Sequence, residues 1–304
     1  MVAVASAACG GTTPVEGAGE SGGDGAFPVS VQSGASGEGA AVTIPARPKS
    51  IVSLSPTATE TLWAVGADEQ VVAVDALSDY PAGVPTTDLS GFSPNVEAIL
   101  GYEPDLVIAM DDTGELAAGL KAAGVPTLQL PAAADLDEAY SQIERIGTAT
   151  GHLPEATSLV ADMRGKIDAA VAAAPTRTEP LTYFHELDDT LFTISGRTFL
   201  GEIYGLFGLE SIADAGAAGD AYPQLSAEYV VAADPDLIFL ADGQCCGVTA
   251  AKVAARPGWS SMAAVRNGQV HVLDEDISSR WGPRVVDLVT TIGGVVAAQP
   301  APVG

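Results

Sequence analysis

N-V-E-A-I-L-G-Y-E-P-D-L-V-I-A-M-D, residues 95–111, returns later in the chain as A-E-Y-V-V-A-A-D-P-D-L-I-F-L-A-D, residues 227–242. Glu97 aligns with Glu228, Pro104 with Pro235, Asp105 with Asp236 and Asp111 with Asp242, always 131 positions apart. Each copy reads as a short amphipathic helix that opens with a carboxylate. A Pro-Asp stop follows, then an apolar run (Leu106 to Met110, Leu237 to Ala241) of the length of a buried parallel strand. Solenoid units repeat at about 20–50 residues, so a repeat this long points to two sibling lobes with a cleft between them.

Outward from the first copy, Ser50 to Leu54 and Val71 to Val74 read as strands, and about Ala58 to Val65 as a helix ended by Gly66. A helix over Leu116 to Ala123 and a strand over Val125 to Leu130 follow, and Phe27 to Val31 with Ala41 to Ile44 forms an edge hairpin. Leu136 to Thr148 is a helix. About Pro154 to Ala174 is a longer one, with Pro154 in the first turn, where its missing N–H costs nothing. Around the second copy come a strand over Leu181 to His185, a helix over Phe199 to Phe207, a strand over Gln269 to Leu273 and a closing helix over Val285 to Val296. Alternating strands and helices make the class α/β, with two Rossmann-like lobes and a ligand cleft between them. The divisions are 27–153 for the N-terminal lobe, 154–174 for a bridging helix, 175–297 for the C-terminal lobe and 298–304 for a tail.

The 304 residues are 47% hydrophobic and carry a formal charge of −26. That balance argues against nucleic acid, whose phosphates are held by clustered Lys and Arg, and against direct adhesion to anionic lipid. Residues 1–9, M-V-A-V-A-S-A-A-C, place small apolar residues before Cys9, and residues 10–26 are a polar Gly/Ser-rich tether. The start resembles the end of a signal peptide with a lipoprotein lipobox, which implies lipidation at Cys9, export, and anchoring to the outer face of the cytoplasmic membrane. Gly17-x-Gly19-x-x-Gly22 matches a dinucleotide fingerprint by letters alone, with no strand before it or helix after it.

V-S-L-S-P-T-A-T-E (52–60), S-D-Y-P (78–81), the two E-x(6)-P-D-L-[IV] segments and S-R-W-G-P-R (279–284) together resemble the substrate-binding proteins of ABC importers for iron-siderophores and vitamin B12. The resemblance runs from about Ile44 to Ala297. It implies a class III periplasmic-binding-protein fold, cobalamin-binding-protein-like, with two lobes joined by a single long rigid helix. It further implies a metal-chelate ligand, no intrinsic cofactor, a monomer, and a permease with its ATPase as partners. Glu97 and Glu228 match the glutamates that dock onto permease arginines. A carboxylate in a helix's first turn also offsets the helix dipole, with Asn95 and Ser226 as caps, and that reading stands beside the docking one.

Open α/β sheets bind ligands at the carboxyl ends of their strands. That selects Ser55, Thr57, Asp79, Tyr80, Phe92, Asp111 and Asp112 from the first lobe, and Phe184, His185, Glu186, Tyr222, Cys245, Cys246, Arg280 and Trp281 from the second. Aromatic faces with a few polar anchors suit a bulky chelate. Each aromatic taken singly also fits a lobe core. Arg280 either meets a ligand anion or pairs with Asp276 or Glu275. Cys245 and Cys246 either close into a vicinal disulfide or form a soft-metal site. His152 and His271 read as structural. His185 reads as a cleft residue that touches ligand or metal, and with Tyr80 it supplies the axial types a haem ligand needs. H-E-L-D-D (185–189) invites a metalloenzyme reading but lacks the second His of H-E-x-x-H, and no G-x-S-x-G elbow or P-loop occurs. Binding rather than catalysis is the expectation.

Overall fold

The apolar runs of both repeat copies are strands with all four residues buried, each inside a four-stranded parallel sheet. The computed structural model describes residues 27–35, 39–216 and 219–299. Cys9, the remainder of 1–26 and residues 300–304 of the tail lie outside them.

The chain opens with an antiparallel hairpin, β1 (Val29–Gln32) and β2 (Ala41–Ile44). The first sheet comprises β3 (Ile51–Leu54), β4 (Val71–Val74), β5 (Leu106–Ala109) and β6 (Thr127–Gln129), in the order β4-β3-β5-β6. The second comprises β7 (Leu181–Glu186), β8 (Leu209–Ser211), β9 (Leu237–Leu240) and β10 (Val270–Val272), in the order β10-β9-β7-β8. Taken from the β8 edge, the second sheet has the same order as the first. Two halves of one topology therefore stand where the repeat predicts them. The strand β8 had no sequence signal, since Leu-Glu-Ser offers neither length nor an apolar run.

The Pro-Asp pair does the same work in both halves. Asp105 accepts from the backbone N–H groups of Lys49 at 3.0 Å and Ser50 at 3.0 Å, fastening the start of β3. Asp236 accepts from Thr182 N at 2.8 Å and Thr182 Oγ1 at 3.1 Å at the start of β7. In each half a carboxylate entering one strand satisfies donors that the neighbouring strand leaves unpaired at its end.

Between β6 and β7 in the chain comes the helix Leu153–Ala173, 21 residues and about 30 Å long. It packs on the helix Leu136–Thr150 from the first half and on Val285–Ala297 from the second. One continuous apolar core runs from Ile51 and Ile108 through Ile143, Met163 and Ile167 to Tyr183, Phe239 and Val289. Each half keeps a separate cluster on its far face. The helix thus contributes one buried stripe, Ala156, Val160, Met163 and Ile167, to a core shared by both halves, which resists relative motion more than an isolated strut would.

Close approach of two helices requires Gly147. A Cβ there would lie 2.4 Å from Ala156 Cβ and 2.9 Å from the His152 carbonyl oxygen. Gly147→Val is expected to cost about 1–3 kcal/mol by overpacking. Calorimetry should show a lower melting temperature, and an unchanged midpoint would remove this account of the helix contact.

Candidate functional site

The strands of the first sheet deliver their carboxyl ends to one cavity of about 390 Å³. After β3, Ser55 caps the helix Pro56–Ala64, its Oγ accepting from Ala58 N at 3.4 Å, and Pro56 takes the position where no N–H is missed. Behind this cap runs a buried chain of hydroxyls. Thr59 Oγ1 donates to Ser53 Oγ at 2.8 Å and lies 2.9 Å from Ser78 Oγ, which donates to Asp75 Oδ1 at 2.5 Å. The chain fixes Asp75, only 2% exposed, in the cavity wall. Burial pushes the Asp75 carboxyl up, with Ser78 opposing. Opposite it, Gly91 keeps the wall thin, because a Cβ there would lie 2.3 Å from the Leu54 carbonyl oxygen.

The second half contributes one segment, Asp276 with Ser279 to Trp281. It is fastened across the cleft by Glu60, 3% exposed, in the helix Pro56–Ala64. Arg280 Nη1 donates to Glu60 Oε1 at 2.7 Å, while Arg284 gives Nη2 to Oε1 at 2.5 Å and Nε to Oε2 at 2.9 Å. The Glu60 carboxylate holds the Arg284 guanidinium above its ordinary pKa. Trp281 adds a neutral fastening, its Nε1 donating to Gln142 Oε1 at 2.9 Å.

Ser55, Thr57, Asp79, Phe92, Arg280 and Trp281 therefore meet in the cavity, as expected of cleft residues. Arg280 is taken by protein carboxylates, Asp276 Oδ1 at 2.5 Å among them, which decides its pairing. Glu275 instead accepts from Gln244 N and from Cys245 N. Tyr80 stands apart from the cavity, with Arg284 4.1 Å above its ring. Asp111 is exposed and outside the lining, Asp112 is spent on Ala117 N at 2.7 Å, and Tyr222 is solvent-facing. Glu97 and Glu228 are exposed in their first turns, behind the caps Asn95 and Ser226.

Three expectations are corrected. Phe184 and His185 are wholly buried in the second half, not in the cleft: β7 runs to Glu186, one residue further than expected, and its last four residues are all interior. Phe184 packs edge-on against Trp259 with centroids 6.0 Å apart, and His185 Nδ1 lies 2.8 Å from Tyr204 Oη. Burial pushes the His185 pKa down to about 4. Glu186 ends in a bidentate pair with Arg256, at 2.5 Å on each arm. Finally, Cys245 and Cys246 are free thiols on the helical turn Gly243–Cys246. The two thiols interact without being bonded: the Cys246 side chain, hydrogen-bonded to that of Cys245, is the largest cause that pushes the Cys245 thiol up to about 12.

Sequence reasoning passed over Glu60, Asp75, Leu77, Gly91, Met110 and Gln142. Glu60 had a signal, being the one acidic residue of the mostly apolar helix Pro56–Ala64. Asp75 and Met110 also had one, standing directly after β4 and β5, whereas Leu77, Gly91 and Gln142 are loop or helix positions that only the fold brings to the cleft.

Asp242, the counterpart of exposed Asp111, is fully buried beside Glu186. Burial first, and the Glu186 charge second, push its pKa from 3.8 to about 7. The folded protein thus keeps a proton that the unfolded chain releases. This contribution to stability is complete below pH 3.8 and is lost as pH rises to about 7. Asp242→Asn should flatten that decline in denaturant titrations run across the window; an unaltered pH profile would contradict it. Glu60→Gln should lower stability by about 3–5 kcal/mol, since it removes the carboxylate that Arg284 is paired with and one of those on Arg280. Urea unfolding within 1 kcal/mol of wild type would show that the clamp does not hold the lobes, roughly the scale of an exposed pair.

The family model for periplasmic binding proteins matches residues 51–277. An uncharacterised ABC transporter substrate-binding lipoprotein of Bacillus subtilis, YvrC, is 32% identical over 270 residues, 86% of this chain and 83% of its own. A cobalamin-binding protein of Halobacterium salinarum is 30% identical over 256 residues, 81% of this chain and 69% of its own. Among solved structures, the periplasmic haem-binding protein RhuT of Roseiflexus sp. RS-1 superposes with a TM-score of 0.72 at 28% identity, covering 83% of this chain and 100% of its own.

Proposed function

The chain belongs to the periplasmic binding protein family, and from that premise we propose that it is the extracytoplasmic substrate-binding protein of an ABC importer whose cargo is a cobalamin-type metal chelate. The observation that carries the choice of cargo is the cavity lining. Leu54, Leu77, Met110, Phe92 and Trp281 offer apolar and flat faces, and Ser55, Thr57 and Asp75 offer polar anchors between them. Phe92 and Leu77, 65% and 53% exposed, stand as uncovered apolar surface that a flat macrocycle would bury. Among the described residues that line the cavity none is His or Tyr, the usual haem iron ligands besides Cys and Met. His185 and Tyr80, the candidates for a haem iron, lie outside that lining, and Met110 is the residue of a haem-ligand type within it.

The protein captures its cargo between lobes held by the Leu153–Ala173 helix and the Glu60 clamp, with little closure. It then presents Glu97 and Glu228 to the permease, and the ATPase drives release. A lipid on Cys9 would keep the monomer at the outer face of the membrane; among the described residues no helix is long and apolar enough to cross it. Its role is binding without turnover, and His185, Glu186 and their neighbours serve the interior of the second lobe.

Cyanocobalamin should quench the fluorescence of Trp281 saturably and without product formation, and Trp281→Phe should remove most of the signal. No saturable response to any corrinoid would end the cobalamin assignment. Glu97→Lys and Glu228→Lys should each leave cargo affinity unchanged and reduce uptake in cells by about tenfold or more. A drop in affinity instead would take the docking role from these residues.

A further inference from the structure

Asp75, Asp79 and Asp276 line the cavity, and Arg280 is the one basic side chain among its described lining residues. That guanidinium is not free to meet an anion. Nη1 is on Glu60 at 2.7 Å, Nη2 is on Asp276 at 2.5 Å and on the Leu77 carbonyl at 3.3 Å, and both lie 3.5 Å from Asp79. Glu60 and Asp276 already offset its charge, so the lining is left with carboxylate in excess, on a chain whose formal charge is −26. Asp75 is the most enclosed of the three. The hydroxyl chain holds its Oδ1, and its Oδ2 lies toward Gly91, 3.5 Å from where a Cβ would stand.

We propose that this cleft selects its cargo by charge. It takes metal chelates whose outer face is neutral or cationic and carries N–H donors, and it turns away polyanionic chelates, with Asp75 as the specificity-determining acceptor. The inference rests on the reading that this cavity holds the cargo, but not on the cargo being a corrinoid. The physical reason is that a polyanion entering here meets the Asp75 carboxylate, held in place by the hydroxyl chain, and an arginine that can reach it only by leaving its partners, whereas amide or ammonium donors find in Asp75 an acceptor already fixed.

The test is calorimetric titration of the full chain with three probes: cyanocobalamin (neutral), ferrioxamine B (cationic) and a ferric tris-catecholate (polyanionic). At low salt the polyanion is expected to bind at least roughly tenfold more weakly than the better of the other two, and the gap should narrow as salt is added. Asp75→Asn should weaken the neutral and cationic probes by about tenfold or more. Asp276→Asn, which releases one arm of Arg280, should strengthen the polyanion; circular dichroism and melting curves establish that both variants are folded. Equal or tighter binding of the polyanion to the wild-type protein overturns the proposal, as does failure of both other probes. Unchanged affinity in folded Asp75→Asn removes the role of Asp75. Binding of ferrioxamine B without cyanocobalamin upholds selection by charge and ends the corrinoid assignment.

Discussion

A single buried carboxylate, Glu60, takes three hydrogen bonds from two arginines that belong to the other half of the molecule. Removing such charges from water is costly, and the cost is offset only where geometry supplies several short charged bonds at once. Here the arrangement also fixes the one piece of the second half that reaches the cavity, because Arg280, Trp281 and Arg284 are neighbours in sequence. The same contact determines what the cavity can offer, since an arginine bound to Glu60 and Asp276 is no longer a ligand group. The shared core through Met163 and Ile167 works in the same direction, so the distance between the walls is a property of the packed interior.

The two halves have kept their scaffold and diverged at their functional ends. Asp105 and Asp236 still fasten β3 and β7 in the same way, while Asp111 faces solvent and Asp242 is interior. In the first half the strand ends are open and form most of the cavity, apolar faces alternating with polar anchors. In the second half the corresponding ends are filled by Glu186, Arg256 and Asp242, a charged cluster turned inward. The cavity is therefore lopsided, and the second half reaches it only through the segment around Arg280.

Much of the scaffold was legible in the residues because the signals were local. Apolar runs of strand length, Pro-Asp stops and Asn or Ser caps are all decided within a few positions, and the repeat doubled each of them. The site was legible at the turn after β3, as at Ser55 and Thr57, but not at Asp75 and Met110, which follow β4 and β5 directly. It was not legible at the end of β7 either, where the strand continues to Glu186 and His185 is interior. Nor was it legible where partners lie far apart in the chain. Glu60 and Arg280 are separated by 220 positions, and no local pattern marks them as a pair. The cysteines show the remaining limit, since adjacency in sequence brings the two thiols into contact without deciding whether they join.

The 131-residue repeat leaves two like acidic points, Glu97 and Glu228, on bodies of the same topology. A counterpart assembled from two identical subunits could receive both with one kind of basic socket, by the logic of pseudo-twofold matching. Such matching on its own does not distinguish the molecule from itself turned through half a revolution. What distinguishes the two orientations is local: Glu228 shares its groove with Asp189 and Arg256. Polarity in an assembly of this kind would be written by the neighbours of the matched residues rather than by the residues themselves.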